Sequence, residues 1–291
     1  MNTSMSTMKI RHIIGWILLS SISLELLSRA SLFNNIAPWI KQEVILVSAI
    51  YLIPILWFYN KCKKQKIYFY SSFFSKPSVF PIKTMIAAVI MPFFLVIGIV
   101  LLLLAIAMSF NILEGTAEAT VLESKSGLQL LVSSIIIAVI APIAEEIIFR
   151  GYLFNRLSFR LGIKKAIIIS SIVFGILHLQ NIFGATIFGI SMCVLYIKTK
   201  SLIVPIIVHM VSNIFVVFKD ISLFMSPSES STSSTADLDV SIGFIGAFLF
   251  IGIGLLWFIP FIKRNWKYCI EKGIPSFTYE FNIKNNEKKS L

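Results

Sequence analysis

Two adjacent glutamates, Glu145 and Glu146, stand just before Arg150 in the otherwise apolar run APIAEEIIFRGYLF, residues 141–154. Further along, His178 closes FGILH with Phe174 four residues before it, and His209 opens HMVSN with Asn213 four residues after it. Carboxylates and imidazoles are the side chains best suited to taking and returning protons near neutral pH. Residues four apart on a helix share a face, so Glu146 and Arg150 are expected to pair, with the acid on the favourable N-terminal side. Glu145 is rotated by about 100° from its neighbour and has no partner on its own helix. A carboxylate taken out of water without a cation is a candidate general base. His209 and Asn213 share a face and can converge as donors.

Each feature also has a plainer reading. The three charges can lie at the cytoplasmic surface, and a lone histidine on an apolar helix can be a core residue with its hydrogen bonds met. The chain holds only three histidines, however, and two of them fall in apolar runs that follow the glutamates. An ionisable group at bilayer depth costs about 2.5–3.5 kcal/mol on insertion scales and normally faces a bundle interior or a wet cavity.

The elements that must position these residues are membrane helices. Of 291 residues, 57% are hydrophobic and 14% charged, against roughly 45–50% and about 25% in soluble domains. Eight apolar runs are candidate spans: residues 10–33, 43–59, 84–110, 127–149, 166–180, 183–197, 201–218 and 241–262. The fold class is therefore all-α, a polytopic transmembrane bundle of about eight spans. The first run is preceded by Lys9 and Arg11 as a signal peptide would be, but it carries Glu25 and Arg29 and lacks a small-residue cleavage site.

The net charge of +12 does not gather on a soluble face and gives no sign of nucleic acid. It sorts by loop. Lys61, Lys63, Lys64, Lys66, Lys76 and Lys83 follow span two; Arg150, Arg156, Arg160, Lys164 and Lys165 follow span four; Lys198 and Lys200 follow span six; Lys263, Arg264 and Lys267 follow the last. Lys/Arg excess marks cytoplasmic loops, so both termini are expected in the cytoplasm of a multi-pass protein of the cell membrane. Residues 219–240, with the Ser/Thr-rich stretch 226–239, read as a flexible extracytoplasmic loop, and 263–291 as a basic cytoplasmic tail able to hold anionic lipid headgroups. Cys62, Cys193 and Cys269 give no disulfide framework.

Helical rise sets depth. From Lys165, His178 lies about 20 Å up; from Lys200, His209 and Asn213 lie about 13 and 20 Å up. Glu145 joins them, at roughly 16–22 Å, only if the fourth helix runs on to Arg156 or Arg160. Arg150 is then submerged, and its purpose is to neutralise one carboxylate while the other stays reactive.

EEIIFR, FGILH and HMVSN match, in order, the EExxxR, FxxxH and HxxxN motifs of the CPBP family of intramembrane proteases, which the chain resembles across residues 145–213. That family joins type II CAAX prenyl endopeptidases to bacterial bacteriocin-processing and self-immunity (Abi) proteins. The resemblance implies a helical bundle around a conical cavity near the cytoplasmic leaflet. It implies that Glu145 with His178 activates a water, that His209 with Asn213 stabilises the oxyanion, and that Glu146, Arg150 and Phe174 support the site. The core would be residues 127–218, with helices of no recognised motif in 1–126 and a last helix at 241–262.

No cofactor is certain. Glu145, Glu146, His178 and His209 are ligand types for a divalent metal such as zinc or manganese, although HExxH is absent and a Glu/His pair can activate water without an ion. The expected substrate is a membrane-associated peptide or protein. A chain rich in Ile, Lys, Phe, Asn and Ser suggests an AT-rich bacterium, and hence peptide maturation or bacteriocin immunity rather than prenyl-protein processing. The alternative is a non-proteolytic membrane scaffold or immunity protein of the same fold. A transporter would show two related halves with paired broken helices, and no such pairing is present in the sequence.

Overall fold

The computed structural model describes residues 8–110, 126–225 and 240–272. Long helices dominate them: α1 (Ile10–Ser28), α2 (Pro38–Lys64), α3 (Ile82–Ser109), α4 (Gly127–Leu161), α5 (Ile163–Leu177), α6 (Ile182–Thr199), α7 (Ile203–Met225) and α8 (Val240–Lys272). Seven of these are long and apolar enough to cross a membrane. The eighth expected span, 166–180, folds as the 15-residue α5, which rises about 22 Å. The protein is a polytopic helical membrane bundle. Leu18, Leu19 and Ile22 on α1 and Ile245, Phe248 and Leu256 on α8 stand exposed, an apolar surface that only lipid can solvate.

Helix ends differ from apolar ends. The run 201–218 continues through Lys219 and Asp220 to Met225, so the expected loop 219–240 starts later, and its remainder, 226–239, lies outside the described residues. At the other end, α8 carries Lys263, Arg264 and Lys267 within the helix, and Lys267 reaches Glu271 one turn on at 3.9 Å. The rest of the expected tail, 273–291, is outside the described residues.

Three helices organise the site. α4 is continuous to Leu161, where Gly162 turns the chain with φ +81° and α5 doubles back. α6 then runs through the middle of the bundle, with Met192, Val194, Leu195 and Tyr196 wholly buried. At its end Lys200 adopts a left-handed conformation, φ 57°, and burial pushes its ammonium below the usual lysine range. α5 and α6 pack at van der Waals contact through glycines. A Cβ on Gly175 would lie 2.6 Å from the Ile182 carbonyl oxygen and overlap Thr186, and one on Gly189 would lie 3.0 Å from the Ser171 Cα. Gly175→Val is therefore expected to destabilise the protein by about 1–3 kcal/mol, as overpacking does, and thermal unfolding in detergent measures it.

α2 and α4 are not regular throughout. Residues 46–52 of α2 and 136–140 and 147–154 of α4 form π-helical turns. Pro54 and Pro142 follow the first two closely and remove the N–H groups that regular helix would direct to residues four earlier. Widening the preceding turn is one way a helix absorbs that loss. The third turn is closed by Asn155, whose amide nitrogen donates to the Arg150 and Gly151 carbonyls, both at 3.0 Å, and to the Tyr196 hydroxyl at 2.9 Å.

Candidate active site

Glu145 and Glu146 sit between the two widened turns of α4. Glu146 and Arg150 are wholly buried and joined at 2.9 Å between Oε1 and Nη1. The guanidinium also donates to the Gly189 carbonyl at 3.2 Å and lies 4.7 Å from the centroid of the Phe174 ring. These contacts explain why an arginine is tolerated here. Its charge is met by a carboxylate, a carbonyl dipole and an aromatic face, the compensations a buried ion needs.

Glu146 does a second thing. Its Oε1 also meets His209 Nδ1 at 2.9 Å. A carboxylate oxygen accepts, so Nδ1 carries the proton and Nε2 is turned the other way. His178 is fixed in the same sense, because its Nδ1 lies 2.8 Å from the Phe174 carbonyl oxygen, which can only accept. Aromatic rings wall both imidazoles: Phe174 lies 4.4 Å from His178 between centroids, and Phe188 lies 4.9 Å from His209.

Both Nε2 atoms face Glu145. Its Oε2 lies 3.9 Å from His178 Nε2 and 3.7 Å from His209 Nε2, is buried, and has no hydrogen-bond partner among the described residues. Its Oε1 lies 3.4 Å from the hydroxyl of Tyr51, on the widened turn of α2. The structure thus brings Glu145, His178 and His209 together from α4, the C-terminal end of α5 and α7, with Glu146, Arg150 and Phe174 packed behind them. Gaps of 3.7–3.9 Å between Oε2 and the ring nitrogens exceed direct hydrogen-bond reach and suit a bridging donor.

Asn213 has one partner outside its own helix. Its amide nitrogen donates to the Ile137 carbonyl, 2.7 Å away in the widened turn of α4. That leaves one of its two amide hydrogens for other use. Two contacts had no sequence signal strong enough to single them out. Tyr51 is one; the other is Glu43 on α2, whose Oε1 accepts from the Ser133 hydroxyl of α4 at 2.8 Å.

The four possible ligands, Glu145, Glu146, His178 and His209, do not fit a metal ion as arranged. Glu146 Oε1 is shared by a guanidinium and an imidazole N–H, and among the described residues no three His, Cys, Asp or Glu side chains are grouped to hold one.

Residues 127–215 match the family model described as type II CAAX prenyl endopeptidase Rce1-like. The chain is similar to the membrane peptidase YdiL of Bacillus subtilis (strain 168), 41% identical over 92 residues that make up 31% of this chain and 36% of that protein. It is also similar to the membrane-embedded CAAX protease MroQ of Staphylococcus aureus (strain USA300), 36% identical over 89 residues, 28% of this chain and 36% of that protein. The matched segment spans only about a third of the length of these curated relatives. No solved structure matches the chain. The segment that supplies Glu145, His178 and His209 is therefore the one that matches the type II CAAX prenyl endopeptidase Rce1-like family model, set in a longer membrane bundle.

Proposed function

We propose that the protein is an intramembrane endopeptidase that hydrolyses a peptide bond of a membrane-associated peptide or protein. The observation that carries this reading is the buried Glu145 Oε2, without a protein hydrogen-bond partner and facing two imidazole nitrogens of fixed tautomer. A water between Oε2 and His178 Nε2 gives a proton to the carboxylate as its oxygen attacks the scissile carbonyl. The oxyanion that forms needs donors. His209, when Nε2 is protonated, and the second amide hydrogen of Asn213 are the groups proposed to supply them, a contribution of about 100- to 1,000-fold in related sites. Glu145 then passes its proton to the departing amine nitrogen as the C–N bond breaks. Glu146, Arg150 and Phe174 hold the two imidazoles in register.

The substrate class proposed is a bacterial precursor peptide or membrane-protein tail, in peptide maturation or bacteriocin self-immunity. The relatives named are bacterial membrane peptidases, and a site enclosed by spans admits substrates already at the bilayer. The Lys/Arg-rich loops support a cytoplasmic location for both termini. Residues 127–218 form the hydrolytic core of the proposed enzyme.

Comparing peptides released from membranes carrying wild-type protein with those from Glu145→Ala tests the reading. A defined set is expected to vanish in the variant, and a chelator is expected to leave release in wild type unchanged. Identical peptide sets, with an immunity phenotype intact in Glu145→Ala, would instead identify a scaffold.

A further inference from the structure

Tyr51 precedes Glu145 by 94 residues and lies outside residues 127–215, the segment the family model covers. Its hydroxyl is nevertheless the hydrogen-bond partner of Glu145 Oε1. We propose that Tyr51 is a positioning residue for Glu145: it holds Oε1 so that Oε2 stays turned toward His178 and His209. The proposal rests on the hydrolytic reading above.

A glutamate carboxylate turns easily about its last bond, whose torsional preference is broad and two-fold. Something must decide which oxygen meets the imidazoles. Neutral imidazoles cannot, because the single proton of each is on Nδ1 and committed to Phe174 or Glu146, which leaves Nε2 an acceptor. Arg150 cannot either, since its guanidinium is engaged by Glu146 and Gly189. A phenol, with an ordinary ionisation near 10, keeps its proton at neutral pH and can donate to a carboxylate. Tyr51 is such a donor, delivered from a third direction.

Its delivery depends on backbone geometry. Tyr51 stands on the π-helical turn 46–52, and each residue of a regular helix advances by about 100°, so the extra residue of a widened turn re-aims everything around it. α2 is also pinned to α4 one level away, where Ser133 donates to Glu43 at 2.8 Å. The two helices run together through a pair of polar rungs, Glu43 with Ser133 and Tyr51 with Glu145. Through α2, the part of the chain before the family-matched segment thereby reaches into the site.

The test uses the purified full chain in detergent and a synthetic peptide spanning a cleavage site found in the Glu145→Ala comparison. Tyr51→Phe keeps the ring and removes only the hydroxyl. It is expected to lower kcat about tenfold with KM unchanged, the low end for a hydrogen bond to a charged group, as suits a contact this long. A second measurement needs no substrate. The infrared difference between wild type and Glu145→Ala isolates the Glu145 carboxylate stretch, and that band is expected to move in Tyr51→Phe. A wild-type kcat in Tyr51→Phe, or an unmoved band, overturns the proposal. If Glu145→Ala itself turns over the peptide at the wild-type rate, the hydrolytic reading falls first, and the band alone then decides whether Tyr51 holds Glu145.

Discussion

Arg150→Met is expected to destabilise the bundle by about 3–5 kcal/mol, the usual result of stripping the partner from a buried charge. Arg150 is 1% exposed and Glu146 0%, so no solvent is at hand to take over. The variant leaves Glu146 with His209 Nδ1 alone, leaves the Gly189 carbonyl without the guanidinium donor, and removes the cation from the Phe174 face. Methionine fills much of the volume, which separates the loss of charge from the opening of a cavity. Arg150→Lys is expected to recover only part of the loss, because a single ammonium does not reproduce the planar fork that reaches Glu146 and Gly189 together. The double variant Glu146→Gln/Arg150→Met is expected to be more stable than Arg150→Met alone, since it no longer buries an unpaired carboxylate. Thermal unfolding of the four proteins in the same detergent checks the order. A single Arg150→Met variant as stable as wild type would mean that Glu146 is not charged in the folded protein.

Much of this site was legible in the sequence because helical spacing is a strong constraint. The pairing of Glu146 with Arg150 follows from a four-residue interval and is found at 2.9 Å. The leftover Glu145 follows from the same rotation. What the sequence could not show is what arrives from other helices. Nothing in YLIP announces that Tyr51 meets Glu145, because that contact depends on a widened turn in α2, and hydropathy is blind to how many residues a turn contains. Asn213 illustrates the same limit: its spacing from His209 is as expected, yet its amide is drawn to Ile137, in a widened turn of α4 that sits before Pro142. His209 shares a face with Asn213 as its spacing requires, but nothing in that spacing announces the bond from its Nδ1 to Glu146 on another helix. Helix ends depart from apolar ends for a plainer reason. Apolarity stops where lipid stops, but helices continue past that point, so α7 extends to Met225 and α8 to Lys272, with their charged residues still in the hydrogen-bonded ladder.

Glu145→Gln is expected to reduce kcat/KM on the order of 1,000-fold, within the range for loss of a positioned general base, while leaving thermal stability near wild type. The amide retains the shape and can still accept from Tyr51, so the loss is chemical rather than structural. His178→Ala is expected to lose at least about 100-fold. The informative variant is the double. Glu145 Oε2 and His178 Nε2 are 3.9 Å apart, and in the proposed mechanism one water is shared by the two. Groups that act as a unit are strongly non-additive, and His178→Ala placed on Glu145→Gln is expected to cost less than about threefold more. Multiplying losses would mean that the two side chains serve separate steps and that no common water joins them. His209→Ala should depart from both patterns. It removes an Nε2 facing Oε2 and also an Nδ1 donor on buried Glu146, so its loss of activity is expected to come with a measurable loss of stability that His178→Ala, on a half-exposed imidazole bonded to the Phe174 carbonyl one turn earlier, does not show.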